Sequence, residues 1–92
     1  MTTDDMLRRT KQFAIDCGHL VLSLEVNAVN RAYGGQLIRS SSSVGANYRA
    51  TRRAKSNSDF INKFKIVEEE LDESLLFLEL IAEFNKDKEI GW

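Results

Sequence analysis

The fold is decided by residues 58–84, which read SDFINKFKIVEEELDESLLFLELIAEF. With successive residues turned by about 100°, seven apolar side chains of this stretch fall on one stripe that runs for about six helical turns. They are Phe60, Phe64, Val67, Leu71, Leu75, Leu78 and Ala82. Asn57 or Ser58 can cap the start of such a helix, and Asp59 then lies near the positive end of the helix dipole. The pattern predicts a long amphipathic helix over about residues 58–85.

The C-terminal half of this helix is apolar on most of its sides. Five further apolar residues widen the stripe there, namely Leu76, Phe77, Leu80, Ile81 and Phe84. Only the side that carries Glu79 and Glu83 remains polar. Because a contiguous apolar patch is uncommon on the surface of a soluble monomer, we expect this end of the helix to be covered. We predict either a missing partner helix or an oligomer interface that includes Leu76, Leu80 and Phe84.

Two segments upstream also follow helical spacing. The first covers about residues 4–26, with Thr3 or Asp4 as a plausible N-cap. Its stripe consists of Met6, Thr10, Phe13, Cys17, Leu20, Val21 and Leu24. The second covers about residues 30–54, and its stripe consists of Leu37, Ser40, Val44, Tyr48 and Thr51. Gly34 and Gly35 disfavour a helix, so the second helix can begin either near Asn30 or only at Gln36.

The composition fits one small helical domain. The chain has 92 residues, of which 42% are hydrophobic and 29% are charged, and it contains no proline. This length corresponds to a single domain over residues 1–92. The second helix carries small residues at Ser40–Ser43, Gly45 and Ala46, which allow another helix to approach closely. The helical spacing and the absence of proline predict an all-α protein. No apolar run is long enough to cross a membrane and the N-terminus is polar, so we expect the protein to be cytoplasmic.

Residues that could carry enzyme chemistry are few. Cys17 is the only cysteine and His19 the only histidine, so one chain can assemble neither a catalytic triad nor a metal site of these residues. The serines at 40–43 lack the Gly-Lys-Ser/Thr of a phosphate-binding loop. The acidic residues at 68–73 lack the Glu-x-x-His pattern of di-metal bundles. We therefore expect no enzyme activity, no metal, no cofactor and no small-molecule substrate.

Charge is distributed unevenly, although the formal net charge is only −1. Residues 1–30 carry a net charge of −1. Residues 31–65 hold eight basic residues against Asp59 alone and carry +7, whereas residues 66–92 carry −7. A basic middle and an acidic end bear on the choice of partner rather than on the fold.

The basic residues of the second helix gather on one side. Arg39, Arg49 and Arg53 lie opposite the apolar stripe, and Arg52 and Lys55 lie close to the helix end. Arginines over small residues leave room for a phosphate backbone, which predicts salt-sensitive, largely sequence-independent binding to nucleic acid. The same residues can instead pair with the acidic third helix of this chain or of a neighbouring chain. Both interpretations remain open on the residues alone.

Three motifs occur in succession in this sequence. They are QLIRSSSSVGANYRA at 36–50, RAKS at 53–56 with DFINK at 59–63, and EELDESLLFLEL at 69–80. Together they resemble the four helix bundle family named for a 23S rRNA intervening-sequence protein, also called the S23 family. The resemblance extends over roughly residues 6–84.

The resemblance implies a left-handed, antiparallel, up-and-down four-helix bundle that assembles into homopentamers, some of them encoded within rRNA intervening sequences. It also implies a relationship in fold to the accessory variability determinant of diversity-generating retroelements, which binds nucleic acid and a reverse transcriptase. Family members continue into a fourth helix, whereas this sequence stops at Gly91 and Trp92 with three. We therefore expect either that the sequence is truncated or that another chain completes the bundle.

Gln36, Ser43 and Asn47 form a polar ridge beside the apolar stripe of the second helix. Because buried amides and hydroxyls need hydrogen-bond partners, we expect these residues to have a structural role in setting the helix register. For the whole protein we expect a non-enzymatic, oligomeric helical bundle that binds RNA or DNA through five basic residues. They are Arg39, Arg49, Arg52, Arg53 and Lys55. The alternative is a protein–protein adaptor whose basic face pairs with an acidic partner or a neighbouring subunit.

Overall fold

Three α-helices make up the computed structural model, which describes residues 1–87. They are α1 (Thr3–Ser23), α2 (Ala28–Thr51) and α3 (Asn57–Phe84), and this part of the chain contains no strand. The protein is therefore all-helical, as the periodicity predicts. The end of the sequence at Gly91 and Trp92, on which the expectation of a truncated bundle depends, lies outside the described residues.

Each helix begins at a polar side chain that accepts a hydrogen bond from the first turn. Thr2 and Asp5 form a reciprocal capping box at α1, with N···O distances of 3.0 and 3.1 Å. The Asn27 side chain accepts from the backbone N–H of Asn30 at α2. Ser56 does the same for Asp59 at α3. The caps of α1 and α3 therefore lie one or two residues before the positions that the sequence suggests.

α2 begins earlier than the glycines indicate. It runs without interruption from Ala28 through Gly34 and Gly35. A glycine inside a helix costs about 1 kcal/mol relative to alanine, but at Gly34 the absence of a side chain is required by packing. A Cβ at this position would lie only 2.9 Å from Cγ1 of Val21 on α1. Close helix packing therefore offsets the low helix propensity of this segment.

α2 lies between the other two helices. It packs along both α1 and α3, whereas no residue of α1 comes within 8 Å of a residue of α3, measured between Cα atoms of the described chain. Gly45 packs near Thr10 and Gly34 near Val21, so α1 and α2 run antiparallel. In a closed three-helix bundle all three helices would contact one another. Here α1 and α3 instead form the two walls of an open groove.

The core joins all three helices at one end of the molecule. It consists of Cys17, Leu20, Leu24, Leu37 and Ile81, flanked by partly buried Phe13, Val21, Tyr33, Phe77 and Leu78. Leu37 of α2 and Ile81 of α3 are fully buried and belong to this one cluster. The described helices include none that is long and apolar enough to span a membrane.

Buried polar side chains set the register between α2 and α3. Ser74 donates a hydrogen bond of 2.8 Å to Ser40. Asn30 and Asn85 are each 4% exposed and exchange two amide hydrogen bonds of 3.1 and 2.8 Å. Because a slip of the helices would leave these groups unpaired and buried, they define one antiparallel alignment.

Candidate nucleic-acid interface

The five basic residues predicted from the sequence divide into two groups. Arg39 lies in the middle of α2 and reaches across to α3, where it contacts Glu70 at 3.3 Å and also Glu73. The hydrogen bond with Glu73 raises the pKa of the Arg39 guanidinium. Arg39 therefore pairs with the acidic third helix of its own chain, which is one of the two possibilities that the sequence left open.

The other four basic residues lie together where α2 ends and the chain turns into α3. Arg49, Arg52, Arg53 and Lys55, which we call the basic end, are all exposed. No side chain of the described residues forms an ion pair with any of them. Cations at the C-terminus of a helix are stabilised by the helix dipole, so the fold tolerates this cluster without a carboxylate partner.

Acidic Asp59 lies next to the basic end but is occupied by other contacts. Its carboxylate accepts a hydrogen bond from Lys63 at 2.7 Å and another from the backbone N–H of Lys55 at 2.8 Å. The Lys63 bond, followed by the Lys55 bond, lowers the pKa of Asp59 below its ordinary value. Asp59 therefore shapes the turn and does not neutralise the arginine side chains.

The structure adds Lys11, which sequence reasoning missed, to this basic region. Because α1 and α2 are antiparallel, the start of α1 lies beside the end of α2, and Lys11 and Arg49 line the same groove between the two helices. Ser42 and Ala46 form part of the floor of this α1–α2 groove, which has a volume of about 260 Å³. Antiparallel pairing was predictable, but the helix register that brings these two residues together was not.

The exposed carboxylates of α3 occupy a different face from the basic end. The outer side of α3 carries four exposed carboxylates, which we call the acidic stripe: Glu68, Glu69, Asp72 and Glu79. None of the four forms an ion pair within residues 1–87. The acidic stripe on α3 is therefore separate from the basic end and Lys11, whereas α1 as a whole carries three acidic and three basic residues.

Within residues 1–87, the polar ridge of α2 forms no hydrogen bond to another helix. Gln36 is exposed, and its side chain accepts only a long bond of 3.4 Å from Arg39. Asn47 donates to the backbone carbonyl of Ser43 in its own helix at 2.9 Å. The inter-helix polar contacts are made instead by Ser40 with Ser74 and by the Asn30–Asn85 pair. Nothing in the isolated sequence distinguishes these residues from other serines and asparagines of the chain.

Among the exposed apolar side chains of residues 1–87, two groups bear on the predicted oligomer interface. Leu76 and Phe84 are 51% and 56% exposed, and Leu80 beside them is half-buried. Tyr33 stacks on Phe84, with ring centroids 5.8 Å apart. The second group lines the open groove between α1 and α3, which has a volume of about 270 Å³. The apolar lining of this groove includes Met6, Phe13, Val44, Phe64 and Leu71.

Candidate reactive side chains are not grouped into a site. Cys17 is buried, and burial raises the pKa of its thiol, so the thiolate form is disfavoured. His19 is exposed on α1. Within residues 1–87 no three His, Cys, Asp or Glu residues are arranged to hold a metal ion.

One solved structure is similar to the chain over most of its length. It is described as a protein with unknown function from the S23 ribosomal protein family of Bacteroides thetaiotaomicron VPI-5482. The two sequences are 31% identical and the TM-score is 0.78, over 94% of this chain and 77% of that chain. No protein-family model and no curated protein matches the chain.

Proposed function

The chain belongs to the S23 ribosomal protein family, and on that premise we propose that it is a non-enzymatic helical-bundle protein that binds nucleic acid through its basic end. One observation carries the proposal. Arg49, Arg52, Arg53 and Lys55 lie at or just past the end of α2, exposed and without carboxylate partners among residues 1–87, whereas Arg39 in the middle of α2 is already paired with α3.

The physical chemistry of the basic end favours a polyanion over a single acidic group. Arg49 is followed three and four positions later by Arg52 and Arg53, directly after the last residue of α2, and such closely spaced like charges repel one another. A phosphate backbone presents one negative charge after another and can relieve the repulsion of several cations at once. Each contact releases a condensed counterion, which gives binding that weakens steeply as salt rises.

Mobility shifts or fluorescence anisotropy with rRNA fragments at rising salt test this proposal. The Arg52→Ala, Arg53→Ala double variant should bind several-fold more weakly, and the slope of log K against log salt should become shallower by about 2. The matched control is the Arg31→Ala, Lys86→Ala double variant, which removes the same charge at the opposite end of the α2–α3 pair, where Asn30 meets Asn85. Absence of binding at low salt, or equal weakening by the control, would contradict the proposal.

Self-association is a second part of the proposal. The exposed Leu76 and Phe84, together with the groove that α1 and α3 leave open, support a four-helix type of bundle that is completed within a homo-oligomer, pentameric by family resemblance. Sedimentation across a wide concentration range should show association that Leu76→Glu abolishes. Ala32, which is exposed on α2, provides the control, since Ala32→Glu adds the same charge away from these apolar side chains and should leave association unchanged. A wild-type chain that stays monomeric throughout would overturn this part.

The acidic stripe on α3 favours a second candidate function, an adaptor for proteins. Its exposed Glu68, Glu69 and Asp72 can meet the basic end of another subunit or a basic partner, while the basic end docks an acidic protein. In that case a protein partner recovered with the chain would stay bound after nuclease treatment. The charge reversals Arg52→Glu and Arg53→Glu would then disrupt the protein complexes, whereas added nuclease would leave the wild-type complexes intact.

A further inference from the structure

We propose that Lys11 of α1 and Arg49 of α2 form a two-sided phosphate-binding site, and that the ligand of this site is the sugar-phosphate backbone of a nucleic-acid duplex. The inference rests on the proposed function and makes it more specific. It adds a residue from a second helix, and it selects double-stranded over unstructured single-stranded nucleic acid.

The two cations face the same groove from opposite helices. Thr10, the residue before Lys11, packs on Gly45, which lies one turn before Arg49, and both cations line the groove with Ser42 and Ala46. Small side chains on the groove floor leave a backbone room to approach. Phosphate contacts made from two sides fix the position of a duplex better than contacts from one helix alone.

Both side chains are available for such a contact. Lys11 and Arg49 are exposed, and neither is bound to a carboxylate in the described part of the chain. Neither has an acidic residue three or four positions away on its own helix. Arg8, one turn before Lys11, differs because it pairs with Asp5. Lys11 is thus the basic residue of α1 that lines the groove and can contact a ligand there.

The absence of aromatic residues from this groove favours a duplex. Proteins that bind single strands without sequence preference stack the bases on aromatic side chains. The α1–α2 groove is lined by Thr10, Lys11, Ala14, Ile15, Ser42, Gly45, Ala46 and Arg49. Phe60 and Phe64 stack on each other on α3, and Tyr33 lies in the aromatic cluster with Phe84. In a duplex the bases are already stacked and only the backbone requires contacts.

The acidic stripe determines on which side the duplex lies. Glu68, Glu69, Asp72 and Glu79 are exposed on the outer side of α3 and would repel phosphates there. A duplex at the basic end is therefore directed along α1 and α2 and away from α3. Lys11 lies on that path, whereas Arg39, which reaches toward α3, does not.

Fluorescence anisotropy with a labelled duplex of about two helical turns tests the inference directly. Matched RNA and DNA duplexes distinguish the source of the backbone, and an unstructured single strand of equal length tests the preference. Lys11→Ala and Arg49→Ala should each weaken duplex binding several-fold and reduce the salt slope by about 1. The wild-type chain should bind either duplex more tightly than the single strand.

Arg31→Ala is the matched control for Arg49→Ala. Arg31 is exposed on the same face of α2, about five turns and 27 Å away, beside Glu25. It should leave the affinity and the salt slope unchanged.

The possible failures are distinguishable. If Lys11→Ala binds like wild type while Arg52→Ala with Arg53→Ala binds weakly, the two-sided site is wrong and the proposed function stands. Equal affinity for the single strand overturns the duplex preference. If no nucleic acid binds at low salt, the proposed function itself fails.

Discussion

Different kinds of residue form the α2–α3 contact and the α1–α2 contact. Toward α3, polar groups meet across the contact: Ser40 with Ser74, Asn30 with Asn85, and Arg39 with Glu70 and Glu73. Toward α1, small residues allow a close approach, as at Gly34 against Val21. No ion pair joins α1 to α2 within residues 1–87, so cations on that side remain free for a ligand.

The largest effect on this comparison should come from the buried amide pair. In Asn85→Leu, the side-chain oxygen of Asn30 loses its donor while it stays buried, so the free energy of unfolding should fall by about 1–3 kcal/mol. Replacing both residues by leucine removes both polar groups and should recover part of the loss. Urea denaturation of the two single variants and the double variant measures the coupling. Strictly additive losses would contradict the assigned register.

The close approach of α1 and α2 is tested by two adjacent glycines. Gly35→Ala meets nothing within 4 Å and should stabilise the protein by up to about 1 kcal/mol, because alanine is the better helix former. Gly34→Ala gains the same propensity but clashes with the stiff side chain of Val21. It should therefore be less stable than Gly35→Ala by about 1–3 kcal/mol in thermal or urea unfolding. Equal stabilities would show that the α1–α2 contact is looser than described.

Arg39 and Arg49 separate stability from binding. Arg39→Ala removes the exposed ion pairs with Glu70 and Glu73 and should lower the free energy of unfolding only slightly, an effect that high salt removes. Its affinity for a duplex should fall only by the small amount that removal of one distant positive charge causes. Arg49→Ala removes repulsion with Arg52 and Arg53 and should leave stability unchanged or slightly higher, while it weakens binding. The reverse assignment would contradict the division of the basic residues into two groups.

The smallest effect concerns the turn between α2 and α3. The pKa of Asp59 is lower in the folded than in the unfolded protein, first because of its hydrogen bond with Lys63. Its ionised form therefore stabilises the fold above the unfolded pKa, and this contribution is lost as pH falls below about 4. Asp59→Asn should flatten the acid limb of a stability–pH curve. An identical curve for Asp59→Asn and wild type would count against the role of the carboxylate in the turn.

The helices were largely predictable because their apolar spacing persists over many turns. The stripe from Phe60 to Ala82 lies within α3, and the small residues of α2 pack close to α1, as their composition indicates. The start of α2 was ambiguous, since helix propensity argues against Gly34 and only the proximity of Val21 explains it. Local sequence does not contain that information.

The candidate site was predictable in part. Charge alone singled out the basic residues of α2, but it did not separate Arg39 from Arg49, because the difference depends on which helix each one faces. Lys11 was missed because it is more than thirty positions from Arg49 in sequence. Asn30 is likewise far from Asn85 in sequence, and Ser40 from Ser74, so these contacts between helices were not predicted. The sequence indicated Gln36, Ser43 and Asn47 for that role instead.

The central claim is that the unpaired cations beside α1 bind phosphates and the paired cation beside α3 does not. The most direct measurement is the salt slope of duplex binding for wild type, Arg49→Ala and Arg39→Ala. A slope that becomes shallower by about 1 for Arg49→Ala and stays unchanged for Arg39→Ala is the predicted result. Equal changes in the two variants, or a slope near zero for wild type, would contradict it.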